Sequence, residues 1–188
     1  MITQYSFGLN THASKNNNVK DIWKTWSCEE IRADLQPNRS AMINICQNLT
    51  SDFNKGTIIR SHNAFLGKSV YMIGKRKYDK RGAVGTYHLE TVYHADTFEE
   101  VFTLLKSQGY LILAVDNIEK YNPIALSEIR LPYSTAFVYG EENAGLDEKT
   151  IKMCDAMVYI KNIGSVRSMN VGCAASCCMY EYSKQWRV

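Results

Sequence analysis

No long stretch rich in proline, glycine and serine divides this chain of 188 residues, so one domain is expected. At 45% hydrophobic residues it can bury the core of such a domain. No run of 18 apolar residues occurs, and no basic segment followed by an apolar stretch opens the chain. Neither a membrane span nor a secretory signal is therefore expected, and the expected location is the cytoplasm. The cysteines Cys28, Cys46, Cys154, Cys173, Cys177 and Cys178 form no Cys-x-x-Cys pair. That removes the common zinc and thiol-redox spacings and leaves reduced, small core residues as the expectation.

Other signatures are missing too. No Gly-x-Gly-x-x-Gly follows a strand pattern, so the dinucleotide fingerprint of Rossmann-type folds is absent. Gly67-Lys68-Ser69 has the tail of a phosphate-binding P-loop, but that motif needs a glycine five residues before Gly67, where His62 stands. The histidines His12, His62, His88 and His94 are scattered without ligand spacing. No metal is expected, and loop or surface positions are expected for them.

What is present begins with charge. A formal net charge of +3 permits a polyanionic partner without demanding one. Five of the seven residues 75–81 are basic, namely Lys75, Arg76, Lys77, Lys80 and Arg81, with Tyr78 among them and Asp79 opposing. Such a run can grip phosphates while its aromatic ring stacks on a base. The plainer reading is a solvated, charge-rich loop.

Along the chain, residues 1–18 are polar and lack periodicity, which predicts a loosely ordered arm, with a short helix over 21–26. Ser27-Cys28-Glu29-Glu30 has capping-box spacing, and Pro37 bounds the helix it starts. Residues 1–37 thus read as an arm with short helices and 38–188 as the main domain. Strands are expected near 41–46, 69–73, 110–115, 135–139 and 157–160. Helices are expected over 56–66, 97–107 (with a capping box from Thr97 to Glu100), 148–154 and about 168–184. Repeated strand-helix alternation predicts an α/β fold, a mostly parallel sheet flanked by helices. In such sheets ligands sit beyond the carboxyl ends of the strands.

Three segments stand at such ends. In Asn54-Lys55-Gly56-Thr57-Ile58-Ile59-Arg60, Asn54 can cap a helix, Gly56 permits close backbone approach, and Arg60 follows within two turns. The second, Tyr139-Gly140-Glu141-Glu142-Asn143-Ala144-Gly145-Leu146, places two glycines and two carboxylates between a strand and a helix. The third, from Ile160 through Ser168-Met169-Asn170-Val171, enters a helix of small residues, Gly172-Cys173-Ala174-Ala175-Ser176-Cys177-Cys178. Taken singly these read as a helix start, a tight turn and core packing.

Together and in this order, Asn-x-Gly-x-x-x-Arg, Glu-x-x-Gly-Leu and Ser-x-Asn-Val resemble the three signature motifs of the TrmH-like (SpoU) family of SPOUT RNA 2′-O-ribose methyltransferases. The resemblance spans residues 38–183. It implies a C-terminal deep trefoil knot, an exception to the no-knot rule. It also implies methyl transfer from S-adenosylmethionine to a ribose 2′-hydroxyl of structured RNA, tRNA or rRNA, by a homodimer. By the same resemblance, Tyr139, Gly140, Glu141, Gly145, Ile160, Ser168 and Met169 bind the methyl donor, chiefly through backbone groups. Arg60, Asn54, Glu142, Ser168 and Asn170 are the implied catalytic residues. The five cations of 75–81 are the candidate RNA contacts, since Lys80-Arg81-Gly82-Ala83-Val84-Gly85-Thr86 also resembles a loop of some family members. The chain departs from the common pattern at Glu141-Glu142-Asn143, where Asn-Glu-Gly is frequent, and at Ile160-Lys161-Asn162, where Ile-Pro-Met is frequent. The alternative is a non-catalytic RNA-binding protein that retains the knotted fold. No appended RNA-binding domain is expected, so substrate choice would fall to the dimer surface, the arm and the basic loop.

Overall fold

Strand-forming runs assemble into one sheet in the computed structural model, which describes residues 1–5, 18–76, 79–142 and 144–186. Its strands are β1 (Thr3–Gln4), β2 (Ile43–Gln47), β3 (Ser69–Ile73), β4 (Val92–Ala95), β5 (Leu111–Val115), β6 (Ile124–Ala125), β7 (Thr135–Tyr139) and β8 (Ala156–Tyr159). They lie in the order β1-β4-β3-β2-β7-β5-β8-β6. Pairing is parallel throughout except for β1, which runs antiparallel to β4. The helices are α1 (Cys28–Leu35), α2 (Asp52–Ala64), α3 (Phe98–Ser107), α4 (Glu148–Met153) and α5 (Val171–Trp186).

Every residue of β2, β3 and β7 is buried, as a parallel sheet covered on both faces requires. Alternate side chains feed two cores. Ile43 and Ile45 of β2, with Ala136 and Val138 of β7, pack with Phe98, Val101 and Leu105 of α3 and Ile151 of α4. Cys46, Phe137 and Tyr139 face the other way and pack with Ile58 and Ile59 of α2 and Ala175, Cys178, Met179 and Tyr182 of α5. A satellite cluster of Cys28, Ile31 and Leu89 seats α1 with Trp23 and Trp26.

The last helix returns to the first motif. The Ser61 and Ser176 hydroxyls lie 2.8 Å apart and the Phe65 and Tyr180 rings 6.3 Å apart, edge to face. A Cβ on Gly172 would stand 3.1 Å from the Thr57 methyl, which is the physical use of a small-residue helix here.

Several expectations are corrected. The arm is not wholly loose: Thr3–Gln4 pairs with β4, while residues 6–17 lie outside the described residues. Residues 21–26 carry only a 3₁₀ turn, Asp21–Trp23. The Ser27–Glu30 capping box forms in both directions. At Thr97 no side-chain cap forms, and the Glu100 carboxylate accepts a hydrogen bond from the N-terminal ammonium at 2.6 Å. α2 starts at Asp52, four residues earlier than expected, with Ser51 as its N-cap residue, so Asn54 lies inside the first turn and does not cap it. α5 starts three residues later than expected, because Asn170 takes the capping position and its Oδ1 accepts from the Gly172 and Cys173 amides at 2.9 and 3.3 Å. The strands β1, β4 and β6 have no counterpart among the expected runs. Among the described residues no helix is long and apolar enough to cross a membrane.

Candidate active site

Placing β7 between β2 and β5 brings the carboxyl ends of β5, β7 and β8 side by side. They open a cleft of about 340 Å³, closed on the fourth side by the start of α5. All seven residues expected to hold the methyl donor, Tyr139, Gly140, Glu141, Gly145, Ile160, Ser168 and Met169, line it. So do Asp116 and Asn117 at the end of β5, which the motif reading missed. The rule that ligands sit beyond parallel strand ends would have found them.

Backbone forms much of this wall. Glu141 and Gly145 exchange hydrogen bonds, amide to carbonyl at 3.1 Å and amide back to carbonyl at 2.8 Å, so the loop after β7 closes on itself. Gly140 lies so close under this closure that a Cβ there would be 2.3 Å from the Gly145 carbonyl carbon. Gly145 has φ +71°, and its Cβ would be 2.8 Å from an Asp116 carboxylate oxygen. Side chains at either position would fill the cleft or strain the turn.

One run of hydrogen bonds joins the three motifs. The Asn170 Nδ2 donates to Asn54 Oδ1 at 3.1 Å, and the Asn54 Nδ2 donates to Glu142 at 2.7 Å. Glu142 also accepts from the Thr50 amide and hydroxyl at 3.1 and 2.9 Å and from the Ser51 amide at 3.3 Å. Burial pushes the Glu142 carboxyl up, but the hydrogen bonds from Asn54, Thr50 and Ser51 outweigh it and hold the group below its ordinary value. It is an ionised, oriented carboxylate. Ser168 stands exposed at the lip of the cleft.

Arg60 is not brought into the cleft. It is exposed on α2, six positions after Asn54, and so points about 120° away around the helix. Among the described residues it has no ion-pair or hydrogen-bond partner. Among the described residues, the cleft lining holds the carboxylates of Asp116, Glu141 and Glu142 and no lysine or arginine. An anionic ligand is disfavoured there and a cationic one favoured.

Behind the cleft runs a buried polar chain that the sequence reading missed. The Tyr139 hydroxyl donates to Asn44 Oδ1 at 2.7 Å, and Asn44 Nδ2 donates to His62 Nδ1 at 2.8 Å. Beyond His62, Glu90 accepts from Arg39 at 2.7 Å and from Asn63 at 2.6 Å. His62, expected on a loop or the surface, is fully buried. Burial first, and the Arg39 guanidinium second, lower its pKa to about 3, so it is neutral. His94 is buried too, and its ring nitrogen meets the Gly74 carbonyl at 2.7 Å.

The basic run is exposed but largely engaged. Lys75 reaches Asp52 at 3.3 Å, Arg76 lies over the Tyr5 ring, Lys80 over the Tyr87 ring, and Arg81 pairs with Asp79 at 2.6 Å. Lys77 and Tyr78 lie outside the described residues. Such exposed pairs exchange readily for a phosphate. All six cysteines are free, but Cys173 is exposed and Cys154 and Cys177 are only partly covered, so the expectation of core cysteines holds for Cys28, Cys46 and Cys178.

A family model described as SpoU rRNA Methylase family matches residues 41–180. The chain belongs to this family. Among SpoU relatives, the 23S rRNA (guanosine-2′-O-)-methyltransferase RlmB of Coxiella burnetii is 29% identical over 150 residues, covering 77% of this chain and 59% of its own length. A tRNA (guanosine(18)-2′-O)-methyltransferase of Thermus thermophilus is 25% identical over 166 residues, covering 84% of this chain and 80% of its own. The chain therefore spans about three fifths of the first of these relatives. The SpoU methyltransferase AviRb of Streptomyces viridochromogenes superposes with a TM-score of 0.70 at 25% identity, over 78% of this chain and 60% of that one. The TrmH/SpoU tRNA modifying enzyme of A. aeolicus reaches a TM-score of 0.75 over 84% of this chain and 81% of its own, and at 21% identity it shows the shared fold.

Proposed function

We propose that this SpoU protein is an RNA (ribose-2′-O-)-methyltransferase, moving a methyl group from S-adenosylmethionine to a ribose 2′-hydroxyl of structured RNA, tRNA or rRNA. The observation that carries this reading is the Asn170–Asn54–Glu142 hydrogen-bond run, which ties all three motifs to one cleft. The 2′-O-methyltransferase names of the relatives support it.

The cleft suits the donor. Its volume of about 340 Å³ is within the range of small-molecule sites. Two glycine positions that a Cβ would fill present bare backbone, and three carboxylates favour a cation over a nucleotide polyphosphate. When bound, S-adenosylmethionine supplies the methyl group on a sulfonium centre. The loop 139–145 and the segment 160–169 would hold it, with Asp116 beside Gly145.

The remaining work falls to the protein's own groups. A ribose hydroxyl is a weak nucleophile until its proton is drawn off. Asn54 and Asn170 hold Glu142 in place and keep the start of α5 against the cleft. Arg60, whose guanidinium stays charged at any physiological pH, binds an RNA phosphate or the developing alkoxide; the proton is left to an acceptor such as that phosphate. The exposed cations at 75–81 add attraction for the RNA backbone. Arg60 lies outside the cleft, so the reading includes a homodimer in which surfaces around the knot and α5 pair. It also includes threading of the C-terminal segment as a trefoil knot, division into an arm (1–37) and a catalytic domain (38–188), and a cytoplasmic location, consistent with six free thiols.

The deciding experiment is mass spectrometry of ribose-methylated nucleosides in total RNA from cells with and without the protein, paired with calorimetric titration of S-adenosylmethionine. One 2′-O-methylnucleoside that depends on the protein is expected, with donor affinity in the low micromolar range, about −8 kcal/mol. A folded protein that binds RNA but no donor would instead establish the non-catalytic alternative.

A further inference from the structure

α2 presents a second exposed surface outside the cleft. Phe53 is 53% exposed, the large apolar side chain of this helix that faces solvent. Phe53, Thr57 and Arg60 are spaced i, i+4 and i+7 and so share one face, with Phe53 and Arg60 about 10 Å apart along the axis. Exposing an aromatic ring to water is unfavourable unless something covers it in the working state.

The position of Phe53 narrows what covers it. Its neighbour Asn54 is buried and holds Glu142, and Thr50 and Ser51, within the same turn, hold the other side of that carboxylate. Phe53 itself does not line the cleft, but it directly precedes Asn54, which holds the cleft's Glu142. The turn carrying Lys80 and Arg81 is clamped against its backbone, since a Cβ on Gly82 would be 2.5 Å from the Phe53 carbonyl. Within that turn Val84, a β-branched residue, is held at φ +46° and left 38% exposed. Strained backbone of this kind persists where the surroundings enforce it, often beside functional sites. Along the chain and the helix face, Phe53 thus neighbours the residue that organises the anionic cleft, an exposed arginine without a partner among the described residues, and a turn bearing two cations. A neutral π-face flanked by cations is the chemistry of a platform for a nucleobase attached to a phosphate backbone.

We propose that Phe53 is the stacking platform for the base of the nucleotide whose ribose enters the cleft, with Arg60 on the same face meeting that nucleotide's phosphate. This rests on the RNA-methylation reading and adds a positioning residue outside the three motifs. Stacking is tolerant of base identity, so Phe53 secures the nucleotide while other contacts select it.

The test compares Phe53→Ala, Phe53→Leu and Phe53→Trp in methylation kinetics and in binding. With the RNA found by mass spectrometry, kcat/KM is expected to fall about tenfold or more in Phe53→Ala. It should stay low in Phe53→Leu and recover in Phe53→Trp, with S-adenosylmethionine affinity unchanged in all three. On the same RNA made abasic at the target nucleotide, wild type and Phe53→Ala should become equal. In a separate arm without reaction, the added emission of Phe53→Trp should be quenched by a single-stranded oligouridylate and not by an abasic oligomer of equal length and charge. Full activity in Phe53→Leu, a penalty that persists on abasic RNA, or quenching by the abasic oligomer would overturn the proposal. So would a shift of Phe53→Ala from dimer to monomer in light scattering, which would place the ring in a protein interface. If no RNA is methylated by wild type, the reaction falls, and the oligouridylate arm still decides the platform.

Discussion

The Asn170 side chain donates a hydrogen bond to Asn54 at 3.1 Å across 116 residues of chain. Because Asn54 uses its oxygen there and its nitrogen on Glu142, only an amide serves at this position. An aspartate could still accept from Asn170, but it would put a second carboxylate against Glu142 at the place of a 2.7 Å donor.

Asn54→Asp is therefore expected to lose about tenfold or more in kcat at pH 8 with the fold intact by circular dichroism. Activity should recover in part on acidification, as the two carboxyl groups come to share a proton. A flat pH profile for the variant, relative to wild type, would show that Asn54 does not act through Glu142.

Arg60 is exposed and without a partner among the described residues, so its removal costs the fold little. Arg60→Ala is expected to lower kcat by ~10²-fold while S-adenosylmethionine affinity stays within a few-fold. Calorimetry on the variant checks this. Donor binding lost together with activity would move Arg60 out of the catalytic role.

Gly145 pairs φ +71° with a direct approach to Asp116. Gly145→Ala should strain the loop by about 1–3 kcal/mol and push the Asp116 carboxylate aside. Donor affinity is expected to drop by an order of magnitude or more, measured by titration, while RNA binding remains. ATP and NAD should compete with the donor in neither protein, since among the described residues the lining carries three carboxylates and no lysine or arginine.

His62 couples stability to pH. Its folded-state pKa near 3 lies below the ordinary value of 6.5, so between these values the unfolded chain binds more protons than the native one. Stability should be full above pH 6.5 and fall as the pH drops towards 3, by a few kcal/mol in all. Urea unfolding of wild type and His62→Gln between pH 7 and 4 tests this. Equal slopes for the two proteins would assign the acid sensitivity to other groups.

The basic turn is expected to act on RNA through long-range charge. An Arg76→Ala, Arg81→Ala double variant should bind RNA more weakly and flatten the salt dependence of binding by about one to two units of logarithmic slope. Donor affinity should not change. An unaltered slope would leave the run as a solvated loop held by Tyr5 and Asp79.

By itself the sequence determined whatever depends on neighbours along the chain. The β-type runs at Ser69–Ile73 and Thr135–Tyr139 fall on β3 and β7, and the Ser27–Glu30 cap forms, because period and capping are local properties. The family resemblance carried by the three motifs likewise pointed to seven residues that line the cleft. Tertiary structure alone decided the rest. Strand β4 is short and contains a histidine, and it is a strand because β3 and β1 supply its hydrogen bonds. Asp116 belongs to the cleft only because β5 and β8 end side by side, and His62 is neutral because burial, and then the nearby Arg39 guanidinium, disfavour its cation. Asn54, which looks like a helix cap, instead becomes the link between Glu142 and Asn170. Each of these follows from contacts between segments far apart in the chain, and such contacts leave no periodic trace in the residues that make them.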